Sequence, residues 1–376
     1  MKILYSCLSQ SWGGMEMFTI DAVKRLLKRG IHTELLCYPG SKIEMKAREE
    51  AIITHPVKAK SYFEPSAINK IRKILSVGNF DLAHTQASKD LWAIVPALKI
   101  SGEKIPLVLT KQMGSFIVKK DFLHRALYSR IDEAFAISGV IAKNLVDTTP
   151  IPPEKIKIIY NGVDVEKFTP ENPNREKVRK EFNVLNGELL IGMTARFTPG
   201  KGHEEFIYAA EKLSAKYDNI KFVVIGEPSR GESEYAEKIR ASGEKLTKEK
   251  KLIFAGFRGD MPDMLSALDL FVFPSHAEAF GIALAEAMAA GKACAAAGTD
   301  GPLDIIDDGI NGLFFEPQNK NDLIEKIEEL ITNPQKRERF GKAAREKAVS
   351  VFDIEKLTDK ALSRYEELIE KRRRSL

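Results

Sequence analysis

Cysteine is scarce in this chain of 376 residues. Its three copies, Cys7, Cys37 and Cys294, are widely spaced and form no C-x-x-C pair, and the six histidines include no H-x-x-x-H pattern. Disulfide frameworks and zinc sites both depend on closely spaced ligands of these types. We therefore predict neither, and we expect the three thiols to stay reduced, as in a cytosolic protein.

Long apolar runs are also absent. No stretch approaches the roughly 18 to 20 uninterrupted apolar residues that cross a bilayer. Residues 1–7 form only a short apolar run, without the longer apolar region and small-residue cleavage site of a signal peptide. We therefore expect a cytoplasmic protein, for which peripheral attachment to the inner face of the cytoplasmic membrane stays open.

Charge of one sign is not concentrated either. The formal net charge is +5, and aromatic residues make up only 8% of the chain. Nucleic-acid-binding proteins usually carry basic residues clustered on one face or motif. We predict no nucleic-acid partner, whereas anionic ligands are compatible with the mild positive charge.

What the sequence does contain is a regular alternation of short apolar runs and amphipathic stretches. Strands are predicted at 3–7, 32–37, 82–85, 106–110, 134–137 and 157–160, and then, after a link rich in proline and asparagine, at 189–194, 221–225, 252–255, 270–273, 293–297 and 312–315. This alternation predicts an α/β fold with two Rossmann-like, doubly wound domains. Ligands of such sheets bind at the carboxyl ends of the strands, so we expect the site in the cleft between the domains.

A basic turn containing glycine follows the predicted strand 189–194. It runs from Arg196 to Lys201-Gly202 and precedes a helical pattern. Backbone N–H groups and the dipole at a helix N-terminus favour anions, and so do two fixed cations. The turn is therefore suited to a diphosphate, with an ordinary solvated basic turn as the equally weighted alternative.

Glu286 is the only charged residue between 279 and 291, in a pattern typical of a buried helix. An ionised carboxylate in such a place is costly unless something pairs with it. A ribose diol is one such partner, as in dinucleotide-binding folds, and a salt bridge to a distant Arg or Lys is the alternative. Glu278 is expected on the preceding loop, where it is either a sugar ligand or an ordinary loop acid.

Together these residues resemble the donor site of the retaining glycosyltransferases of family four, which have the GT-B fold. Arg196, Lys201-Gly202, Pro274-Ser275 and the Glu278-x7-Glu286 pair occur in the family's order. Weaker similarities are Asn161-Gly162-Val163-Asp164, Gly13-Gly14-Met15-Glu16 and Asp308-Gly309-x-Asn311-Gly312. The resemblance covers essentially the whole chain, but its motifs are specific only in the C-terminal half.

The resemblance divides the chain into an N-terminal acceptor domain, 1–165, and a C-terminal donor domain, 166–355. In the family a last helix, here 356–376, crosses back to the N-terminal domain, and in this sequence it ends in a basic tail, 371–374. Segment 116–125 interleaves apolar and cationic residues. It either rests on an anionic membrane or forms an ordinary amphipathic helix on its sheet, and the basic tail would add to membrane attraction.

The resemblance also implies a role for each donor-site residue. Arg196 and Lys201 would bind the diphosphate and stabilise its charge as it leaves, and Glu278 would orient the donor sugar, so these three are the predicted catalytic residues. The other predicted donor-binding residues are Gly14 against the phosphates, Arg258 near the nucleobase, the backbone of Phe280, Gly281 and Ile282 at the sugar, and Glu286 at the ribose.

The N-terminal half departs from the family at one position. Where the family often places a His after the fourth strand, this chain has Thr110-Lys111-Gln112. Neither Lys111 nor Gln112 can act as a neutral imidazole, and we interpret the change as a difference of subtype. His84, Lys111 and Gln112 are the acceptor-side candidates, although a lone His at a strand end is more often structural.

The implied activity is transfer of a hexose-type sugar from a UDP- or GDP-linked donor to a glycan or glycolipid acceptor, in cell-envelope or lipopolysaccharide biosynthesis. No cofactor is expected. The sequence has no Asp-x-Asp that would hold a metal ion beside a diphosphate, and fixed cations can stabilise the leaving group instead. The alternatives are a nucleotide-sugar epimerase or phosphorylase on the same scaffold, and a non-catalytic nucleotide-sugar-binding protein.

Overall fold

The computed structural model describes residues 1–59, 63–229 and 231–375. The chain forms two compact units. The N-terminal unit comprises Met1–Tyr160 together with Glu355–Leu376, and the C-terminal unit comprises Asn161–Ile354. The first boundary thus falls before the Asn-Gly turn at 161–162, whereas the sequence analysis placed it at 165.

The N-terminal unit is built on a parallel sheet. Its described strands are β1 (Lys2–Cys7), β2 (His32–Cys37), β3 (Thr54–Pro56), β4 (Leu82–Thr85), β5 (Leu107–Lys111), β6 (Glu133–Ala136) and β7 (Ile156–Ile158), in the order β3-β2-β1-β4-β5-β6-β7. Its described helices are α1 (Gly14–Lys28), α2 (Lys42–Glu49), α3 (Pro65–Gly78), α4 (Leu91–Ser101), α5 (Phe122–Tyr128) and α6 (Gly139–Thr148).

The C-terminal unit repeats this construction. Its described strands are β8 (Leu189–Thr194), β9 (Ile220–Ile225), β10 (Leu252–Gly256), β11 (Leu270–Phe273), β12 (Ala293–Ala297) and β13 (Leu313–Phe315), in the order β10-β9-β8-β11-β12-β13. Its described helices are α7 (Arg175–Glu181), α8 (His203–Ser214), α9 (Ser233–Ser242), α10 (Glu244–Lys248), α11 (Met261–Ala267), α12 (Ile282–Ala289), α13 (Pro302–Ile305), α14 (Lys320–Thr332) and α15 (Pro334–Lys347). Helix α16 (Ile354–Arg374) then returns the chain to the N-terminal unit.

The central strands are apolar at successive positions because helices cover both faces of each sheet. Strand β9, for example, is buried at all six positions. The strand order reverses between β1 and β4 in one sheet and between β8 and β11 in the other. Such switch points, at the carboxyl ends of the strands, are where doubly wound sheets bind ligands. The predicted fold class, two Rossmann-like α/β domains, is confirmed.

Three local features differ from the predictions. Edge strand β3 was not predicted, because it has only three residues and includes Pro56. Segment 116–125 is not one helix, since α5 begins only at Phe122. Residues 371–374 are the end of α16 and not a separate tail: Arg372 pairs with Asp132 at 2.5 Å, and Arg373 pairs with Asp81 at 2.9 Å.

Helix α16 completes the core of the N-terminal unit. Tyr365, on this helix, is 2% exposed, and its hydroxyl lies 2.5 Å from Nδ1 of His84. Leu357 and Ile369 join the same core, and Arg364 pairs with Glu133 at 2.5 Å. None of the described helices is both long and apolar enough to span a bilayer.

Candidate functional site

The basic turn at 196–202 joins β8 to α8. Gly202 has φ of 77°, and a Cβ at this position would lie 2.2 Å from the carbonyl oxygen of Pro274. Only glycine fits here, so the turn packs directly against the chain that follows β11. This close approach brings Lys201 beside the loop after β11, at the switch point of the sheet.

Lys201 and Glu278 meet at this contact. The Nζ atom lies 2.5 Å from Oε1 of Glu278, which also accepts a hydrogen bond from the Ser275 hydroxyl at 2.9 Å. The Lys201 and Glu278 side chains are 23% and 21% exposed. The Gly301 N–H donates to the Glu278 carbonyl oxygen at 3.0 Å and so holds this loop in place. A cation and a carboxylate are therefore positioned at the switch point and stay accessible to a ligand.

Arg196 lies at the start of the same turn and is exposed. Its Nη1 atom is 3.4 Å from the Ser229 hydroxyl. A contact of this length is weak, so the guanidinium can reorient toward an anion near Lys201. Two residues missed by the sequence analysis support the turn: His276 donates its N–H to the Gly200 carbonyl oxygen at 2.9 Å, and its ring lies 3.0 Å from Glu205.

Glu286 is partly buried in the second turn of α12, among buried Leu284, Ala285 and Ala287. Burial raises the pKa of its carboxyl to about 7, and the positive charge of Lys167 opposes this shift. In the part of the chain that the structure describes, no side chain forms a hydrogen bond or ion pair with this carboxylate. The described residues therefore do not form the buried salt bridge to Glu286 that was the alternative prediction.

Arg345 could have been such a partner, but its guanidinium is used elsewhere. It donates to the backbone carbonyl oxygens of Val165, Phe168 and Ala289, at 2.7 to 2.9 Å. It thereby ties the segment after the Asn161-Gly162 turn to the end of α12. Neither Arg345 nor Lys167 was predicted from the sequence, where the motif at 161–164 was a signal for the segment that contains Lys167.

The predicted sugar-orienting backbone lies at the start of α12. The Phe280 ring is buried against that of Phe352, with 5.7 Å between centroids, and Gly281 has φ of 106°. Ile282 begins the helix and is 44% exposed. The first N–H groups of a helix have no partner within it, so this backbone can donate to a ligand.

Arg258, predicted near the nucleobase, is occupied by two carboxylates. It donates to Asp260 at 2.8 and 2.7 Å and to Glu181 at 2.6 and 3.2 Å. Hydrogen bonds to both carboxylates raise the pKa of its guanidinium. The structure thus places Arg258 in an ion-pair cluster between α7 and α11, and it does not bring this side chain into contact with Lys201, Glu278 or Glu286.

In the N-terminal unit, Gly13 and Gly14 follow β1 at the first switch point. The Gly13 N–H donates to Oε2 of Glu16 at 2.9 Å, which caps the start of α1. Gly14 is exposed, and a Cβ there would meet no atom within 4 Å. The backbone at Gly14 is therefore open to a ligand from the solvent side.

His84 lies in the core and not at a ligand-accessible surface. It is 2% exposed, and its ring nitrogens lie 2.5 Å from the Tyr365 hydroxyl and 2.7 Å from the Thr110 hydroxyl. Burial lowers the pKa of His84 to about 3, so the ring is neutral at physiological pH. This geometry supports the structural interpretation of His84 over contact with an acceptor.

Lys111 is the last residue of β5, at the carboxyl edge of the N-terminal sheet, and Gln112 follows it. The Lys111 Nζ lies 3.4 Å from the Ser88 hydroxyl, and burial lowers the pKa of Lys111 to about 8. Gln112 donates to Gln86 at 3.0 Å, and Gln86 in turn donates to the Tyr5 hydroxyl at 2.7 Å. Of the acceptor-side candidates, Lys111 is thus the one that combines charge with partial exposure.

Potential metal ligands come together at Glu34 in the N-terminal unit. His32 and His55 both contact Glu34, at 3.0 and 2.5 Å, but Lys2 pairs with the same carboxylate at 2.8 Å. No group of three His, Cys, Asp or Glu residues within the ranges 1–59, 63–229 and 231–375 is arranged to hold a metal ion.

Comparison with known families matches both halves of the chain. The model of Glycosyltransferase Family 4 matches residues 12–167, and the model of Glycosyl transferases group 1 matches residues 174–347. The structure of HepE from Anabaena in complex with UDP shares the fold, with a TM-score of 0.84 over 98% of this chain and 100% of that chain, at 22% identity.

Two curated bacterial enzymes are similar over most of their length. One is the N,N'-diacetylbacillosaminyl-diphospho-undecaprenol alpha-1,3-N-acetylgalactosaminyltransferase of Campylobacter jejuni, which is 25% identical over 93% of this chain and 92% of that protein. The other is the UDP-Gal:alpha-D-GlcNAc-diphosphoundecaprenol alpha-1,3-galactosyltransferase of Escherichia coli, which is 28% identical over 79% of this chain and 78% of that protein. The chain therefore belongs to the glycosyltransferases that join a Family 4 N-terminal domain to a group 1 C-terminal domain, and the predicted family and enzyme class are confirmed.

Proposed function

We propose that this glycosyltransferase moves a hexose-type sugar from a UDP- or GDP-linked donor to a glycan or glycolipid acceptor, with retention of configuration and without a metal ion. The observation that carries the proposal is the group at the β8/β11 switch point. There Lys201 is paired with Glu278, while the Glu286 carboxylate, on the helix that follows Glu278, forms no hydrogen bond or ion pair with a side chain of the described residues. A nucleotide sugar supplies the two groups that this arrangement lacks, namely a diphosphate and a ribose diol.

The cations suit the charge that develops in the reaction. Breaking the bond between the sugar and the diphosphate leaves negative charge on the departing phosphate oxygen. Arg196, Lys201 and the N–H groups at the start of α8 offer positive charge beside it, which supports electrostatic catalysis without a metal. In the free protein the Lys201 ammonium lies 2.5 Å from Glu278. Donor binding would draw this ammonium toward the phosphate, and the Glu278 carboxylate could then accept hydrogen bonds from sugar hydroxyls.

Retention follows from attack on the face from which the diphosphate departs. The acceptor hydroxyl oxygen bonds to the sugar carbon as the phosphate–sugar bond breaks, and the hydroxyl proton passes to the departing phosphate oxygen. No protein nucleophile is then needed. The resemblance of Arg196, Lys201, Glu278 and Glu286 to the donor site of retaining enzymes supports this course.

Envelope glycan synthesis is the proposed setting. By their names, the relatives from Campylobacter jejuni and Escherichia coli transfer sugars to diphosphoundecaprenol-linked acceptors. A cytoplasmic enzyme that meets such acceptors would contact the inner membrane face. Exposed Phe116, Ile117 and Phe122, next to Lys119 and Lys120, support peripheral contact with an anionic membrane.

Calorimetric titration in EDTA tests the donor site. We expect saturable binding of UDP or GDP, and we expect Glu286→Gln to weaken it about tenfold, since a charge-assisted hydrogen bond to ribose is lost. Glu325→Gln, an exposed glutamate on α14, is the matched control and should bind as the wild type does.

Several outcomes would contradict this proposal. Folded protein that binds neither nucleotide has no donor site of the proposed kind. Nucleotide binding only when magnesium is added would show that the enzyme needs a metal ion. A product with inverted anomeric configuration in NMR spectra would show that the transfer is not retaining. Binding without any product from glycolipid acceptors would favour the non-catalytic alternative.

A further inference from the structure

The loop between β5 and α5, residues 112–121, is held tightly on helix α6. The Ser115 N–H donates to Oδ1 of Asn144 at 2.8 Å, and Nδ2 of Asn144 donates back to the Ser115 carbonyl oxygen at 3.0 Å. Further along, the Lys119 N–H donates to the Thr148 carbonyl oxygen at 2.7 Å. The loop therefore presents a defined surface and not an unattached chain.

This surface is apolar. Six apolar side chains, which we call the apolar segment, are each more than half exposed: Met113, Phe116, Ile117, Val118, Phe122 and Leu123. Single exposed apolar residues are ordinary, but a contiguous group marks an interaction surface. Hydrogen bonds hold the loop backbone on α6, and the side chains of the apolar segment face solvent.

Two partly buried lysines accompany the apolar segment, Lys111 just before it and Lys119 within it. Lys111 ends β5, and Lys119 is close enough for its charge to lower the pKa of Lys111, in addition to the larger effect of burial. Burial also lowers the pKa of Lys119. Within the described ranges, neither ammonium group forms an ion pair with a carboxylate, whereas Lys111 contacts the neutral Ser88 hydroxyl.

Two like charges at partly buried positions disfavour each other unless an anion lies near both. The chain supplies no such anion among the described residues. A phosphate group would satisfy both ammonium groups. Strand β5 ends at the carboxyl edge of the sheet, which is the edge at which doubly wound sheets bind ligands.

We propose that Lys111 and Lys119 bind the phosphate groups of a lipid-linked sugar acceptor while the apolar segment contacts its hydrocarbon chain. The inference rests on the proposed function, since it assigns the acceptor of that transfer. A polyisoprenyl diphosphate combines the two chemistries that lie side by side here. The flat headgroup layer of a bilayer would instead engage exposed lysines such as Lys120, and it would not reach a side chain recessed at a strand end.

Farnesyl diphosphate is a soluble probe for this site. Its binding to the full chain is measured by calorimetry with excess UDP present, so that the nucleotide fills the donor site. We expect Lys111→Gln and Lys119→Gln each to weaken binding about tenfold, as loss of a charge-assisted hydrogen bond to phosphate does. Lys120→Gln, at the exposed neighbouring lysine, is the control and should leave affinity unchanged.

A second pair of probes separates the two parts of the site. Phe116→Ser should weaken farnesyl diphosphate but leave inorganic pyrophosphate unchanged, because the substitution removes only apolar contact. Thermal unfolding should show that all four variants fold, since none removes a packed core side chain.

The proposal is overturned if farnesyl diphosphate binds Lys111→Gln and Lys119→Gln as tightly as wild type. It is equally overturned if only vesicles containing phosphatidylglycerol are bound, with no dependence on these two lysines, since the surface is then a general membrane contact. A separate UDP titration distinguishes this failure from that of the donor site. If UDP binds and farnesyl diphosphate does not, the acceptor assignment alone is wrong. If farnesyl diphosphate binds and UDP does not, the proposed UDP donor is wrong instead.

Discussion

At the scale of single residues, Glu286 and Lys111 are ionisable side chains of opposite charge, and the fold partly buries both. Neither has an ionic partner among the described residues. Burial raises the pKa of Glu286 to about 7 and lowers the pKa of Lys111 to about 8. Both groups therefore cost stability in the free protein, which a ligand of complementary charge or hydrogen bonding would recover.

Glu286→Gln should stabilise the free protein, and more at alkaline than at acid pH. The folded-state pKa is about 7 against 4.5 for an unperturbed carboxyl, so between these values the folded state holds a proton that the unfolded chain has lost. Stability therefore falls as pH rises through this window, and the full penalty is present above pH 7. Removing it should add about 1 to 3 kcal/mol to the free energy of unfolding at pH 8 and little at pH 5.

Urea denaturation at the two pH values measures this difference. Glu325→Gln, on the exposed face of α14, should behave alike at both. An equal change for Glu286→Gln at pH 5 and pH 8 would show that the carboxyl is not perturbed by burial.

At the scale of elements, the proposed donor site depends on how closely the β8–α8 turn approaches the loop after β11. Gly202 permits that approach, since a Cβ would lie 2.2 Å from the Pro274 carbonyl oxygen. The neighbouring contact between Lys201 and Glu278 exists only because these two loops touch. The turn's two cations are therefore positioned by backbone packing and not by their own side-chain contacts alone.

Gly202→Ala should both destabilise the C-terminal unit and weaken nucleotide binding. The cost combines left-handed backbone strain with displacement of the turn, and we expect about 2 to 4 kcal/mol. Gly187→Ala is a matched control, because Gly187 also has positive φ, 85°, but a Cβ there meets no atom within 4 Å. Thermal unfolding and UDP titration of both variants test this, and an equal loss in the two would show that contact with Pro274 is unimportant.

At the scale of the whole molecule, helix α16 completes the hydrophobic core of the N-terminal unit. Tyr365 on α16 bonds to His84 on β4 and packs edge-on against its ring, with 5.6 Å between the centroids. Ion pairs from Arg29 to Asp359 and from Arg364 to Glu133 hold the same helix. The N-terminal unit is therefore formed by two distant parts of the chain, whereas the C-terminal unit is continuous.

Tyr365→Phe should destabilise the N-terminal unit by about 1 to 3 kcal/mol, because it leaves a buried His84 nitrogen without its partner. Tyr365→Ala should cost about 3 to 5 kcal/mol through the cavity it creates. Ser363→Ala, at an exposed position of the same helix, is the control. Nucleotide binding should be unchanged in all three, since the charged residues of the proposed donor site, Arg196, Lys201, Glu278 and Glu286, lie in the other unit. A loss of UDP affinity in Tyr365→Phe would contradict this separation.

Two parallel α/β units and most of their strands could be predicted from the amino-acid pattern alone, because buried strands between helices need continuous apolar runs. Lys201 in a glycine-containing turn and Glu286 as the lone charge of an apolar run are visible in the sequence itself, whereas Glu278 was predicted through the family resemblance. Their roles at phosphate, ribose and sugar stay predictions. The folded structure was needed to show that Arg258 pairs with Glu181 and Asp260, and that His84 is a core residue hydrogen-bonded to Tyr365. Contacts between residues far apart in the chain leave no local pattern, so burial and pairing of single polar side chains had to come from the packing of the fold.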